Sequence, residues 1–97
     1  MPSYIALIDW TEQGVRDFGD SVGRFRQARE TFESRGVRFR DAYWTLGEHD
    51  LVVIIDADDD ESVAAALLAI ASQGNIRTRT MRAFSEQEME AVIGRAG

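Results

Sequence analysis

Apolar residues recur along this chain in two periods, and the change from one to the other lays out its elements. Tyr4 to Trp10 has apolar side chains on both alternations, Tyr4, Ala6, Ile8 and Trp10 on one and Ile5 and Leu7 on the other. That predicts an internal strand. Thr11-Glu12-Gln13-Gly14 follows as a loop. Phe18, Val22, Phe25, Ala28 and Phe32 then form one stripe and predict a helix over about 21–35. Asp20 or Ser21 is placed as its N-cap and Gly36 as its C′ residue. Gly23 in the first turn weakens a helix by about 1 kcal/mol relative to Ala, which predicts a frayed or late start.

Val37 to Leu46 alternates more strictly, with Val37, Phe39, Asp41, Tyr43 and Thr45 on one side and Arg38, Arg40, Ala42, Trp44 and Leu46 on the other. Charges on both sides near its start predict an edge strand. Gly47-Glu48-His49 reads as a tight turn into Leu51-Val52-Val53-Ile54-Ile55, a run apolar on both faces, so the two strands form a hairpin. A second helix is predicted over about 60–73, with Val63, Ala64, Leu67, Leu68, Ile70 and Ala71 as its buried side. Gly74-Asn75 stops it, and Ile76 to Phe84 alternates again as a last strand. Ser85-Glu86-Gln87-Glu88 is a capping box opening a short helix whose apolar face is Met89, Val92 and Ile93.

The order β-α-β-β-α-β plus a C-terminal helix predicts an α+β fold of the ferredoxin-like kind over 1–97, one domain with a four-stranded antiparallel sheet in the order 4-1-3-2. The two strands that are apolar on both faces fall at the centre of that order, and the two arginine-bearing strands fall at its edges. Two helices cover only one face of such a sheet. The other face is apolar as well and needs a cover. A second copy about a twofold axis is the simplest one, so a homodimer or a higher homo-oligomer is expected.

Composition narrows the function. A hydrophobic content of 44% and a charged content of 29% are those of a globular chain. No stretch approaches the roughly 20 apolar residues that span a bilayer, so no membrane role is expected. Met-Pro-Ser-Tyr-Ile has no basic region ahead of an apolar one and reads as the first strand, not as a secretory signal. The absence of cysteine rules out a disulfide framework and thiolate metal sites. A cytoplasmic location is the expectation. A net charge of −6 argues against nucleic acid, and Leu51-Val52-Val53-Ile54-Ile55 lacks the aromatics on which RNA bases would stack. Residues 16–40 carry seven arginines against four acids, whereas residues 41–61 carry eight acids and no base. Such asymmetry either brings subunits together in register or marks solvated faces.

Candidate chemistry gathers at the hairpin, in Tyr43, Trp44, His49 and Asp50, with Trp10 nearby. A histidine beside a carboxylate can act as a base near neutral pH. Adjacent strand residues point to opposite faces, however, so Asp50 has a second reading as an acceptor of backbone N–H groups that fixes the turn. Tyr43 and the two tryptophans read first as core or interface aromatics and second as ligand contacts. Arg77 and Arg79 share one strand face and suit a small carboxylate or phosphate, or else edge protection and ion pairing. Residues 56–61 superficially match a calcium loop, but the glycine of its sixth position is missing and Leu67 stands at its twelfth. They read as acids at a helix N-terminus. One histidine and no cysteine make no zinc or haem ligand set, and no glycine-rich phosphate loop occurs. Neither a metal nor a cofactor is expected.

Trp10-Thr11 with Gly14, Tyr43-Trp44-Thr45-Leu46-Gly47 with Asp50, and Gly74-Asn75-Ile76-Arg77-Thr78 leading to Arg82-Ala83-Phe84 resemble the GYD domain family over about Tyr4 to Ile93. The family is named for a Gly-Tyr-Asp element at this turn; here the stretch is Gly47-Glu48-His49-Asp50, with histidine where tyrosine is expected. The resemblance implies a bacterial protein of the dimeric α/β-barrel type and brings no activity with it. Three functional readings follow. The favoured one is an oligomeric small-molecule binding or sensing domain with a pocket between sheet and helices, near the hairpin. The second is a cofactor-independent enzyme, an oxygenase or isomerase, with His49 as base, Trp10 and Trp44 as walls and Arg77 or Arg79 as anion clamp; it rests on fold analogy. The third is a purely structural assembly module.

Overall fold

In the computed structural model, which describes residues 1–97, β1 (Ser3–Trp10) is hydrogen-bonded on one side to β3 (Leu51–Ala57) and on the other to β4 (Ile76–Ala83), while β2 (Val37–Trp44) flanks β3. The sheet order β2-β3-β1-β4 is antiparallel throughout and is the ferredoxin-like arrangement. Helices α1 (Glu12–Arg16) and α2 (Ser21–Glu33) link β1 to β2, α3 (Asp60–Ala71) links β3 to β4, and α4 (Glu86–Ala96) follows the sheet. No helix is long and apolar enough to cross a membrane.

Period-2 alternation decides what each face of the sheet meets. Ala6, Val53 and Ile55, at most 1% exposed, lie under α2 and α3 with Tyr4, Ile8 and Leu51. Their neighbours Ile5, Leu7, Val52 and Ile54 turn to the other face and are only half-buried. Register carries the same division to the edges, placing Met81 beside Ile5, Arg79 beside Leu7 and Tyr43 beside Val52. One face is a core; the other is a half-open apolar stripe.

Several local expectations are corrected. The alternation of β2 breaks at a register shift between Phe39 and Asp41, where an extra residue enters the strand. Val37, Phe39, Ala42 and Trp44 therefore share the helix-covered face, paired with Ala57, Ile55, Val53 and Leu51. The hairpin connection is not a tight turn; it is a wider loop over residues 45–50, closed by Thr45 N–H on the Asp50 carbonyl (2.9 Å) and Thr45 Oγ1 on the His49 carbonyl (2.5 Å). Despite Gly23, α2 starts without delay at Ser21, because a 3-10 turn over Phe18–Asp20 runs straight into it and the buried Ser21 hydroxyl accepts the Trp44 indole N–H. Phe18 and Val22 are exposed, leaving Phe25, Ala28 and Phe32 as the face that docks. On α3, Ala64 and Leu68 are exposed and Ala66 is buried instead. The Thr11–Arg16 stretch is helical because the Thr11 hydroxyl caps Gly14 N–H.

The two later helices are capped alike and docked differently. Asp59 caps α3 through Ser62 N–H (2.7 Å), and Ser62 holds its carboxyl below the usual 3.8 by backbone and hydroxyl hydrogen bonds. Ser85 and Glu88 complete the expected capping box of α4. Yet Met89, Val92 and Ile93 of α4 all remain exposed. The radius of gyration of 14.5 Å exceeds the about 12–13 Å of a compact domain this size.

Candidate functional site

The stretches Trp10–Gly14, Tyr43–Asp50 and Gly74–Thr78 meet at one end of the sheet, where β1 and β2 end and β3 and β4 begin, whereas Arg82 and Ala83 stand at the other end, beside Tyr4 and Ser3. Thr11 N–H donates to the Asn75 carbonyl (3.0 Å), Thr11 Oγ1 to the Gly74 carbonyl (2.6 Å), and the Gln13 amide to Asn75 Oδ1 (2.9 Å). Gly14 allows this clasp, since a Cβ there would lie 2.0 Å from the Asn75 carbonyl oxygen. Gly74, at φ +84°, turns the chain into β4. Asp50 ties in the third motif. Its Oδ2 accepts Trp10 N–H (2.9 Å) and its own N–H donates to the Ile8 carbonyl (3.0 Å). These bonds continue the β1–β3 ladder beyond Leu51.

The candidate side chains separate by face. The carboxylate that meets His49 is Asp9, with Nδ1 to Oδ1 at 3.0 Å; Asp50 is turned to the Trp10 backbone. Asp9 belongs to the Ile5-Leu7-Asp9 alternation on the face away from the helices, and Arg77 stands beside it in register on β4. Arg79 and the exposed Tyr43 lie on the same face. Neither Arg77 nor Arg79 enters an ion pair within the chain; Arg40 is the residue that reaches Asp56, at 3.4 Å. Trp44 and Trp10 are on the other face. The Trp44 ring packs edge-on to Phe25, centroids 5.5 Å apart, and Trp10 lines a crevice under the helices.

That crevice, about 270 Å³ in volume, opens between α2 and α3 over the sheet. Ala6, Ile8, Val53 and Ile55 form its floor, and Phe25, Phe32, Leu67 and Ile70 its walls. The polar groups at its edges include Arg24, Thr31, Gln73 and Asn75. No Asp or Glu lines it.

The two places can do different chemistry. The Asp9 carboxylate orients the His49 ring, which leaves Nε2 as the nitrogen that can exchange a proton with a ligand. No hydroxyl and no second titratable side chain hydrogen-bonds to that pair. The crevice can sequester a molecule with a sizeable apolar part, because most of its lining residues are hydrophobic. Asp9 and Arg24 were missed by sequence reasoning, though each carried a signal. Asp9 is the one acid in an otherwise apolar strand. Arg24 keeps a helical spacing with Ala28, Thr31 and Arg35, which line the same crevice.

The GYD domain model matches residues 4–93. The chain belongs to the GYD domain family. A GYD-length relative from Thermus thermophilus, described as a glutamine synthetase and cystathionine beta-lyase binding protein, is 32% identical over 92 residues, covering 94% of this chain and 97% of that one. Two solved structures share the fold. One is a Mycobacterium tuberculosis feast or famine regulatory protein complexed with L-methionine (TM-score 0.66, 19% identity, 88% of this chain and 51% of that chain). The other is a Thermus thermophilus protein (TM-score 0.57, 22% identity, 88% and 95%). The GYD match thus takes in the sheet from Tyr4 onward, the motif cluster and most of α4.

Proposed function

We propose that this protein is a small-molecule binding or sensing domain that works as a homo-oligomer, with its ligand seated in the crevice between α2, α3 and the sheet. The crevice itself carries the reading. In a chain of 97 residues whose packed core is small, a cavity of about 270 Å³ forfeits dispersion contacts that filling side chains would make. Its mostly apolar walls and few polar groups have the make-up of a ligand site.

The oligomer is supported by the uncovered sheet face. Ile5, Leu7, Val52 and Ile54 form a continuous apolar stripe there. Asp9 and His49 at one end of the stripe, with Arg77 beside Asp9 and Arg79 beside Leu7 on β4, offer both signs of charge for pairing across a twofold axis. Native mass spectrometry of freshly purified protein, with a denatured control, tests both parts. A multimer carrying a constant excess mass is the expected result. A monomer without any excess mass would sink the reading.

A second reading is favoured by the 32% identical relative, whose description names two enzymes as its partners. On that reading the protein binds a metabolic enzyme through its open apolar surfaces. Sedimentation with purified glutamine synthetase would then give a stable complex, and separate boundaries would refute it.

A further inference from the structure

We infer that the crevice takes a small organic monocarboxylate with an apolar tail, its carboxylate seated on Arg24. This rests on the reading of the crevice as the ligand site and adds the class of ligand. Arg24 lies in the first turn of α2, where its Nη1 donates to the Asp17 carbonyl at 3.0 Å. That bond holds the guanidinium in place. Its Nη2 is buried and meets no acceptor of the protein, the single buried side-chain nitrogen or oxygen in the chain of which this is true. A buried cationic donor without an acceptor is costly, and a carboxylate oxygen is the acceptor that answers it best.

The electrostatics of the lining agree. In a chain with 17 acidic residues and a net charge of −6, the charged residues that line the crevice are two arginines, Arg24 and Arg35. The Arg35 guanidinium lies over the Phe32 ring, 5.6 Å from its centroid, and adds positive potential along the same side of α2. The floor of the crevice is hydrocarbon, with Ala6, Ile8, Val53 and Ile55 all buried, and Gln73 and Asn75 at its far edge are neutral. A ligand that satisfies both ends has an anionic head and an apolar body. The volume lies just below the about 300–1,000 Å³ of drug-sized pockets, so the body is metabolite-sized. A phosphate dianion fits less well, because desolvating two charges in a mostly apolar crevice needs more donors than the one buried orphan nitrogen supplies.

The test compares hexanoate with hexan-1-ol, which have the same tail, on the full-length protein. Methyl NMR follows Ile8, Val53 and Leu67 during the titrations. Hexanoate is expected to shift these methyls with a Kd at least about tenfold below that of the alcohol, the ratio that a charge-assisted hydrogen bond supports. Arg24→Met should abolish the advantage of hexanoate over the alcohol. The wild-type comparison stands by itself if that variant does not fold. Equal binding of acid and alcohol would overturn the assignment to Arg24 and a carboxylate, and would leave the crevice as the ligand site. Methyl shifts from neither compound would overturn both.

Discussion

The two faces of the sheet are built from the same kinds of residue and end in opposite states. Ile55 and Val53 are at most 1% exposed beneath the helices, while Ile54 and Val52, their immediate neighbours, stay half-open. The covered face is nevertheless the one with a cavity, and the open face is the one with a continuous apolar surface. Coverage and filling are therefore separate properties. Helices α2 and α3 cover their side of the sheet without closing over its middle, which leaves the crevice between them. The open side leaves its apolar stripe half-exposed, without helices over it.

Adjacent substitutions put this contrast under the largest strain. Ile55→Ala should cost about 2–5 kcal/mol in urea denaturation, the usual range for truncating a buried aliphatic side chain. Ile54→Ala should cost much less in dilute protein and more as concentration rises, because part of its burial would come from a second copy. Equal and concentration-independent losses would erase the distinction. If the open face is the interface proposed above, Leu7→Glu should lower the sedimentation coefficient to that of a monomer in analytical ultracentrifugation while the far-UV circular dichroism of the fold persists. An unchanged sedimentation coefficient would remove the open face from the interface.

The next pair sits where the faces meet. Asp50→Ala removes a charged acceptor from Trp10 N–H and should lower stability by about 2 kcal/mol. His49→Ala removes only a partly exposed contact with Asp9 and should cost less than about 1 kcal/mol. A reversed order would make His49, not Asp50, the residue that holds this end together.

The smallest effect is on the helix that neither face covers. Hydrogen bonds from the Ser85 N–H and hydroxyl hold the Glu88 carboxyl below its usual 4.5. A carboxyl whose pKa is lower folded than unfolded stabilises the folded state fully above the unfolded value, and that contribution is lost as pH falls through the folded one. Amide protection factors over residues 86–96, corrected for the intrinsic pH dependence of exchange, should therefore fall below about pH 4.5, and Glu88→Gln should flatten that dependence. The same titration at Asp59 should move α3 less, since Val63 and Ala66 anchor it in the core.

Much of this was legible residue by residue. Strands apolar on both alternations are central, alternating strands with arginines are edges, and the Ser85–Glu88 spacing marks a helix start, because each pattern reports a local geometric requirement. The exceptions were equally physical. The bulge after Phe39 leaves no distinct trace in a run that alternates smoothly, yet it moves Trp44 to the side of the helices. The pairing of His49 with Asp9 joins residues 40 positions apart, and sequence proximity pointed to Asp50 instead.

The sequence by itself determined the order of the strands and longer helices, the sheet topology and the family, since periodicity, caps and turns act over a few residues at a time. Only the tertiary structure decided that Gly14 seats against Asn75, that Arg24 keeps a buried nitrogen without an acceptor, and that the candidate residues divide between an apolar crevice and an open charged face. Those facts depend on register and on how far apart two helices settle. Both are set by packing between segments distant in the chain, which no local pattern encodes.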